Sequence, residues 1–307
     1  MKLLRVLGCA IAAAVIVGCQ GASTTFDRLG ATPSMLLRSE SLTSHAATQQ
    51  SVIWTIVDDE VLGYSLAGQQ VAGLGSFPQP PMGLCTDPSG DLYVPDAAHV
   101  IYAYAPGQSN PYYVYDDLGE NPISCAFDPT TGNLAVANGL NVMIFPPASG
   151  TPLKYHSKSF EHYAYLNYDK SGNLYVDGQG AHGAFELAEL PAGGTSLKDI
   201  SISGLPPGED PAAGLAWDGQ DVVVADRLSK ELYRIAISGS TGTIIDTWHI
   251  AGWTRRYAVA FIIDGKQLFF PRDDEVAFFS YPPGKRPKGG FTGRVGNVLS
   301  LAPEVIN

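Results

Sequence analysis

The sequence predicts an all-β fold, and two observations lead to that prediction. Its 307 residues include 34 glycines and 22 prolines, many of which stand between short apolar runs. Such a pattern is typical of many short strands separated by turns, and it leaves little room for long helices. The second observation is an internal repeat, which places these strands in order along the chain.

The repeat is clearest in three stretches, namely "GLCTDPSGDLYVPDA" from Gly83, "SCAFDPTTGNLAVAN" from Ser124 and "YLNYDKSGNLYVDGQ" from Tyr165. Their aspartates Asp87, Asp128 and Asp169 are each 41 residues apart. Each stretch begins with a short apolar strand that runs into a turn with Asp first, usually Pro second and Gly last. A type I turn favours those residues at those positions. A second strand follows the turn.

Two further copies with altered turns follow, "GLAWDGQDVVVADR" from Gly214 and "AVAFIIDGKQLFFPRD" from Ala258. The ends of the chain supply a sixth unit. "VIWTIVDDEVLGYSLAG" (52–68) resembles the later strands of a unit, and "GNVLSLAPEV" (296–305) resembles a first strand. Joining them closes a ring and removes exposed sheet edges. We therefore predict a six-bladed β-propeller over residues 51–307, whose first blade is shared between the N- and C-terminal strands. A β-sandwich is the alternative.

The strand ends carry a family resemblance. "GNLYV" followed by a polar residue or Asp, as in "GDLYVPD" and "VVVAD", is similar to NHL-type propeller repeats. The ends "YAPG" and "FPPASGTP" resemble repeats of exported bacterial proteins of that kind. The resemblance implies the architecture and hardly any function, because propellers serve many unrelated tasks.

The N-terminal segment predicts export. Lys2 and Arg5 precede a short apolar run, as in a signal peptide over residues 1–18. The run ends in "IVGC", which resembles the lipobox of bacterial lipoproteins and implies lipidation of Cys19. An ordinary cleaved signal peptide is the alternative. Residues 19–50 are predicted to be a flexible tether, spanning on the order of 30 Å. We expect a protein anchored by lipid to the bacterial cell envelope, at the outer membrane or cell surface.

The net charge and the absence of known catalytic motifs argue against several classes of function. A net charge of −11 disfavours nucleic acid and anionic lipid headgroups as partners. Zinc-ligand spacing, a phosphate loop and a nucleophile elbow are all missing from the sequence. We predict no cofactor, no metal site and no catalytic residue.

A propeller hydrolase or lyase similar to the lactonases is the alternative function. Such enzymes hold a divalent cation on the axis with Asp, Asn and Glu at the starts of inner strands. The corresponding positions here are Met82, Ile123, Ala164, Ala213 and Tyr257, with Asn297 near the C-terminal strand. Without carboxylates there, the enzyme would need Asp177, His182, Asp226 or Asp273 to converge at the axial mouth.

Cys85 and Cys125 lie in first strands of neighbouring repeats, offset by one position. Side chains alternate along a strand, so this offset points the two thiols to opposite faces. We predict buried free thiols, with a disulfide as the alternative that an exported protein permits.

The leading hypothesis is a non-enzymatic, lipid-anchored propeller that presents a surface to a protein or glycan partner in the envelope. The face that carries the loops after the second strands is the predicted contact zone, since Arg and Tyr are common interface anchors. Its predicted residues are His162, Tyr163, His182, Asp226, Arg255, Arg256, Tyr257 and Asp273.

Overall fold

The computed structural model describes residues 49–116, 121–147, 151–205, 213–253, 260–272, 275–284, 286–292 and 299–305. The chain divides into two units, Met1–His45 and Ala46–Asn307, and all described residues belong to the second unit. The predicted signal peptide, Cys19 and nearly all of the predicted tether therefore lie outside the described residues. In the described ranges we find no helix that is both long enough and apolar enough to span a bilayer.

The described residues form 24 strands and a single 3-10 turn, Ala181–Gly183. One four-stranded sheet combines strands from both ends of the domain in the order β24-β1-β2-β3. Its strands are β1 (Gln49–Val57), β2 (Glu60–Ser65), β3 (Gln70–Ser76) and β24 (Leu299–Val305). The strand β24 pairs antiparallel with β1, from Gln49 opposite Val305 to Thr55 opposite Leu299.

Three more sheets are four-stranded antiparallel meanders in sequence order. The first contains β4 (Cys85–Thr86), β5 (Leu92–Asp96), β6 (Val100–Tyr104) and β7 (Tyr113–Asp116). The second contains β8 (Ser124–Phe127), β9 (Leu134–Ala137), β10 (Val142–Phe145) and β11 (Leu153–Tyr155). The third contains β20 (Ile262–Asp264), β21 (Gln267–Arg272), β22 (Glu275–Ser280) and β23 (Gly289–Thr292).

The remaining eight strands form one sheet, in the order β12-β13-β14-β15-β19-β18-β17-β16. Its first half contains β12 (His162–Tyr168), β13 (Leu174–Gln179), β14 (Phe185–Leu190) and β15 (Lys198–Ser203). Its second half contains β16 (Leu215–Trp217), β17 (Val222–Asp226), β18 (Glu231–Ser238) and β19 (Thr241–His249). The halves are antiparallel meanders, and three parallel residue pairs between β15 and β19 join them along their outer strands.

The predicted turns hold the first and second strands of each repeat together. Asp87 Oδ1 accepts the amides of Ser89 at 2.8 Å and Asp91 at 3.0 Å. Asp169 accepts those of Ser171 at 2.7 Å and Asn173 at 2.9 Å. These side chains satisfy the turn amides that no strand partner can reach, which explains why Asp recurs at the start of each turn.

The sheets are arranged like the blades of a propeller. First strands of successive meanders lie against each other, in the series β4, β8, β12, β16, β20 and β24, and β24 returns to β4. Each hydrophobic cluster is shared by two neighbouring meanders. Trp54 packs with Leu92 of β5 on one side of its sheet, while Ile53 packs with Phe269 of β21 on the other. Burial on both faces explains the near-continuous apolar runs of the inner strands.

The prediction of free thiols is wrong, because Cys85 and Cys125 form a disulfide with Cα atoms 5.5 Å apart. Cys85 begins β4 and Cys125 lies in β8, in two sheets that pack against each other. Because the sheets stack around a ring, each sheet contacts one neighbour with one face and the other neighbour with its opposite face. Side chains on opposite faces of neighbouring sheets therefore point toward each other, and the one-residue offset favours the bond.

Candidate binding face

One side of the propeller is formed by two kinds of loop. In an antiparallel meander, the loop after the second strand and the loop that leads into the next first strand lie at the same end. Hydrogen bonds link the two kinds: the Met82 amide donates to Pro95 O at 2.8 Å, and the Tyr163 amide donates to Gly139 O at 2.7 Å. We call this side the loop face.

Buried aspartates anchor two of these loops from below. Asp96 and Asp226 end the second strands β5 and β17, and both are fully buried. Asp96 Oδ1 accepts the amide of Ala98 at 2.8 Å, and Asp226 Oδ1 accepts the amide of Leu228 at 2.7 Å. Each carboxylate thereby fixes the backbone of the loop that follows it.

Related anchors occupy the intervening meanders. The Asn141 amide donates to Asn138 Oδ1 at 3.1 Å, inside the loop after β9. Asp177 Oδ1 accepts the amide of Tyr165 at 2.7 Å, which ties β13 to the first strand of the same meander. In the described part of the chain, the side-chain amide of Asn141 and the Oδ2 atoms of Asp96 and Asp226 have no hydrogen-bond partner. Burial raises the pKa of the Asp96 carboxyl above its usual value.

The loop tips have an uncommon backbone conformation. The structure describes four non-glycine residues with positive φ, and each lies in a loop after a second strand. They are Asp58 (φ 54°), His99 (φ 67°), His182 (φ 63°) and Lys230 (φ 65°). Non-glycine residues rarely adopt this conformation, and it recurs at sites where the surrounding structure imposes it. The loop face therefore presents fixed tips.

The tips expose apolar side chains. Leu140 is 66% exposed and Leu228 is 50% exposed, and Met82 is also exposed in the loop leading into β4. Single exposed leucines are ordinary on a surface. Leu140 and Leu228, however, both follow an anchored second-strand residue, so their positions are set by the buried side chains beneath them.

All five histidines in the described ranges lie on the loop face, and most are exposed. His99 and His182 lie in loops after second strands. His156 and His249 lie at the ends of the fourth strands β11 and β19, and His162 begins the first strand β12. An imidazole ring both donates and accepts hydrogen bonds, so these side chains suit a partner of mixed polarity.

The predicted contact residues differ in how exposed their side chains are. His162 and His182 are exposed on the loop face, as the hypothesis requires. Tyr163 is buried and stacks on Phe160 with ring centres 4.5 Å apart, and its hydroxyl accepts the Ser157 amide. The predictions that Tyr163 and Asp226 contact a partner are corrected, because both side chains are buried. The strand period puts Tyr163 on the core side of β12, and Asp226 anchors a loop.

The remaining predicted contact residues, Arg255, Arg256, Tyr257 and Asp273, lie outside the described residues. Among the described residues, the ammonium of Lys230 lies 5.0 Å from the centre of the Trp253 ring. A cation over an aromatic face stabilises this arrangement and holds the loop after β17 against the loop leading to β20.

The stretch "GNLYVDGQGAH" (172–182) has a structural explanation up to its last residue. Gly172 has φ of 85° in the turn, and Asp177 is an anchor. A Cβ atom on Gly178 would lie 2.0 Å from the carbonyl oxygen of His162, so this position excludes every side chain. Within this stretch Ala181 and His182 are exposed, and both lie in the 3-10 turn.

The axis offers a cavity at the end opposite the loop face. It has a volume of about 360 Å³ and is lined by the ends of first strands, including Thr86, Phe127, Asn167, Trp217 and Asp264. Across the described residues, no three His, Cys, Asp or Glu side chains lie close enough together to hold a metal ion. Of the axial positions considered from the sequence, Ala164 and Ala213 are buried, and Tyr257 and Asn297 lie outside the described ranges.

Comparisons with known proteins identify the fold and leave the function open. No protein-family model and no curated protein matches the sequence. A chain in the crystal structure of a nidogen/laminin complex matches with a TM-score of 0.64 and 11% sequence identity, over 82% of this chain and 98% of that chain. This likeness shows that the chain has a β-propeller fold. Chains of solved structures that match number 1326, so the fold alone does not select a function.

Proposed function

We propose that this chain is a binding propeller that recognises a partner protein through its loop face. We further propose that it is exported and anchored by lipid at Cys19 to the bacterial cell envelope, as an NHL-like repeat protein. On this proposal the domain has six blades, and the eight-stranded sheet counts as two of them.

Two observations support the count of six. The parallel pairing of β15 with β19 involves only Ser201–Ser203 and Thr241–Thr243, at the rim, while the two halves each form a complete antiparallel meander. The hydrophobic cluster between those halves unites Leu187 with Val222 and Tyr233, as expected for two stacked blades.

The observation that carries the proposed function is the combination of buried anchors with exposed tips. Asn138 and Asp226 fix their loops from below, and Leu140 and Leu228 in those loops are half or more exposed. A surface held in one conformation loses little entropy on binding, which favours recognition. The solved chain that matches comes from a complex between proteins, which is consistent with a protein partner.

The proposal is tested with serine substitutions on two sides of the domain. The variant Leu140→Ser/Leu228→Ser removes the exposed leucines of the loop face. The matched control, Leu66→Ser/Ile245→Ser, removes two comparably exposed apolar side chains outside that face. The full chain is used to retain proteins from envelope extracts, and retained proteins are quantified by mass spectrometry. We expect one protein to fall at least tenfold with the first variant and to persist with the control.

Equal retention of proteins by all three chains would contradict the proposal. If both variants and the unchanged chain retain the same proteins in equal amounts, the loop face is not the recognition surface. Retention of a glycan in place of a protein would keep the surface and change the class of partner. Thermal melts of both variants must match that of the unchanged chain, so that any loss reflects recognition.

The anchor is tested separately with Cys19→Ser. We expect the unchanged chain to fractionate with membranes and the variant to move to the soluble fraction, because an acyl chain supplies most of the membrane affinity. A variant that stays with membranes would remove the lipid from the proposal and leave the binding function standing.

The hydrolase alternative gains no support from the described residues. It requires Asp177, His182, Asp226 or Asp273 to converge, yet Asp177 and Asp226 are buried and hold amides of the fold. A thermal melt in EDTA and in millimolar calcium tests it, since an ion that binds only the folded state raises its stability. A clear upward shift with calcium would revive the hydrolase.

A further inference from the structure

The outer strand β7 carries an aromatic surface with no counterpart on the other outer strands that the structure describes. Tyr112 is 54% exposed and Tyr113 is 50% exposed, and Val114 beside them is also exposed. The other outer strands that the structure describes expose single aliphatic side chains, namely Val71 in β3, Leu153 in β11 and Ile245 in β19, whereas Tyr112 and Tyr113 are large aromatic rings. We call Tyr112, Tyr113 and Val114 the tyrosine surface.

The rings of the tyrosine surface are held in place. The Tyr112 hydroxyl donates to Asp91 Oδ2 at 2.8 Å and lies 3.1 Å from the Tyr93 hydroxyl. Tyr113 packs edge-on against Tyr115, with ring centres 4.5 Å apart.

Tyr115 in turn contacts Phe145 of the next sheet, with ring centres 5.5 Å apart. Half of each outer ring is thus exposed, while the other half is fixed against the core. Fixed, half-exposed aromatic rings are typical of interface anchors, because their ordering costs little on binding.

The edge of β7 is open as well. Its inner side pairs with β6 from Val100 opposite Asp116 to Ala103 opposite Tyr113. On its outer side, no strand among the described residues pairs with it. An open edge offers backbone donors and acceptors to an extended segment of another chain.

The surrounding charge selects the partner. Between Ser51 and Leu153 the sequence contains no lysine and no arginine. The same stretch contains ten carboxylates, namely Asp58, Asp59, Glu60, Asp87, Asp91, Asp96, Asp116, Asp117, Glu120 and Asp128. Fifteen of the 19 basic residues follow Leu153, so the half of the domain that bears β7 is strongly acidic and the other half is mixed. Burial raises the pKa of the Tyr115 hydroxyl, and Tyr113, Asp87 and Asp91 raise it further.

We propose that the tyrosine surface and the open edge of β7 form a second docking site, which takes an extended, basic segment of a partner protein. The segment adds its backbone to β7, and its Lys or Arg side chains lie over the faces of Tyr112 and Tyr113. A cation over a tyrosine face is attracted by the ring, and the nearby carboxylates strengthen the attraction. This site is distinct from the loop face and does not rest on it.

The test measures fluorescence anisotropy of labelled decapeptides with the full chain. One peptide alternates arginine and threonine, and two companions carry glutamine or glutamate at the arginine positions. Tyr113→Ser removes one ring. Asp91→Asn removes one charge but keeps an oxygen that accepts the Tyr112 hydroxyl. Ile245→Ser, on the outer strand β19, is the matched control for loss of an exposed apolar side chain.

We expect the arginine peptide to bind and the glutamate peptide not to bind. Tyr113→Ser should weaken the arginine peptide about fivefold to tenfold and Asp91→Asn about threefold, with Ile245→Ser unchanged. Equal affinity of Tyr113→Ser and the unchanged chain overturns the proposal, as does equal binding of the glutamine peptide. Competition by a neutral chitin hexasaccharide, or tyrosine-dependent self-association of the chain, would also overturn it. Melts of each variant verify that the fold is intact.

Discussion

Equivalent residues at the ends of second strands show what one atom contributes to a loop. Asp96 and Asn138 occupy this position in neighbouring sheets, and each uses a side-chain oxygen to accept a loop amide. The amide of Asn138 does this without a charge. The second oxygen of Asp96 is buried and has no hydrogen-bond partner among the described residues, so its charge is a cost that the hydrogen bond must offset.

Replacing Asp96 by asparagine therefore preserves the anchor and removes the buried charge. We expect Asp96→Asn to leave the free energy of unfolding at pH 7 unchanged or higher, and Asp96→Ala to lower it by about 1–2 kcal/mol. Urea unfolding monitored by tryptophan fluorescence measures both. A loss in the asparagine variant as large as that in the alanine variant would show that the charge itself is needed.

Comparison of the unchanged chain with Asp96→Asn also predicts how the free energy of unfolding depends on pH. Burial raises the pKa of Asp96 in the folded state above its unfolded value. The folded protein then holds the proton more tightly, so this residue's contribution to stability falls as pH rises from the unfolded pKa through the folded pKa. We expect the unchanged chain to lose stability relative to Asp96→Asn across that window. Parallel stability curves for the two proteins would contradict the assignment.

Single residues were predictable where local chemistry decides them. The turn aspartates follow from the amides that a turn leaves open. The burial of Tyr163 and Asp226 was not predicted. Tyr163 lies next to the exposed His162 at the start of β12, and Asp226 ends β17, and at a strand end a polar residue is compatible with an exposed tip or a buried anchor. Only the contacts of the neighbouring meander decide between them.

At the scale of elements, the disulfide between β4 and β8 joins two blades across a sequence separation of 40 residues. Closing a loop of that length restricts the unfolded chain and is worth about 4 kcal/mol on a chain-entropy estimate. We expect Cys85→Ala/Cys125→Ala to lower the free energy of unfolding by about 2–4 kcal/mol. Addition of a reducing agent should destabilise the unchanged chain similarly and leave the variant unaffected. A chain insensitive to reductant would argue against the bond.

The second strands and their turns were the elements that the repeat predicted best, because they carry the motif. The outer strands lack a common pattern, and the parallel pairing of β15 with β19 left no trace in the sequence. The tyrosine surface on β7 was likewise missed, although the run "PYYVYDD" and the absence of basic residues around it were visible. The tyrosine run lies on an outer strand, whereas the repeated motif covers only the inner strands and their turns.

For the whole molecule, closure depends on β24. Seven residues of this strand pair with β1, and β24 lies between β20 and β4 around the axis. Deleting residues 299–307 leaves the edge of β1 open and the ring incomplete. We expect the melting temperature to fall by more than about 10 °C, or the cooperative transition to disappear. Deleting only residues 306–307 is the control and should change neither. A truncated chain that melts like the control would show that the ring does not need this strand.

The fold could be predicted at this scale because repeats and complementary chain ends define a ring. The partner could not, because recognition depends on which side chains the loops expose, and loops carry no repeat. Leu140 and Leu228 became candidates only when the structure showed anchored loops beneath them.

The proposed function requires the loop face to contact a partner protein. Its most direct test introduces a photo-crosslinking amino acid at position 140, 182 or 228, and at control positions 66 and 245, in the full chain expressed in its native host. We expect all three loop-face positions to yield an adduct with the same protein and the control positions to yield none. Adducts from the control positions, with none from the loop face, would contradict it.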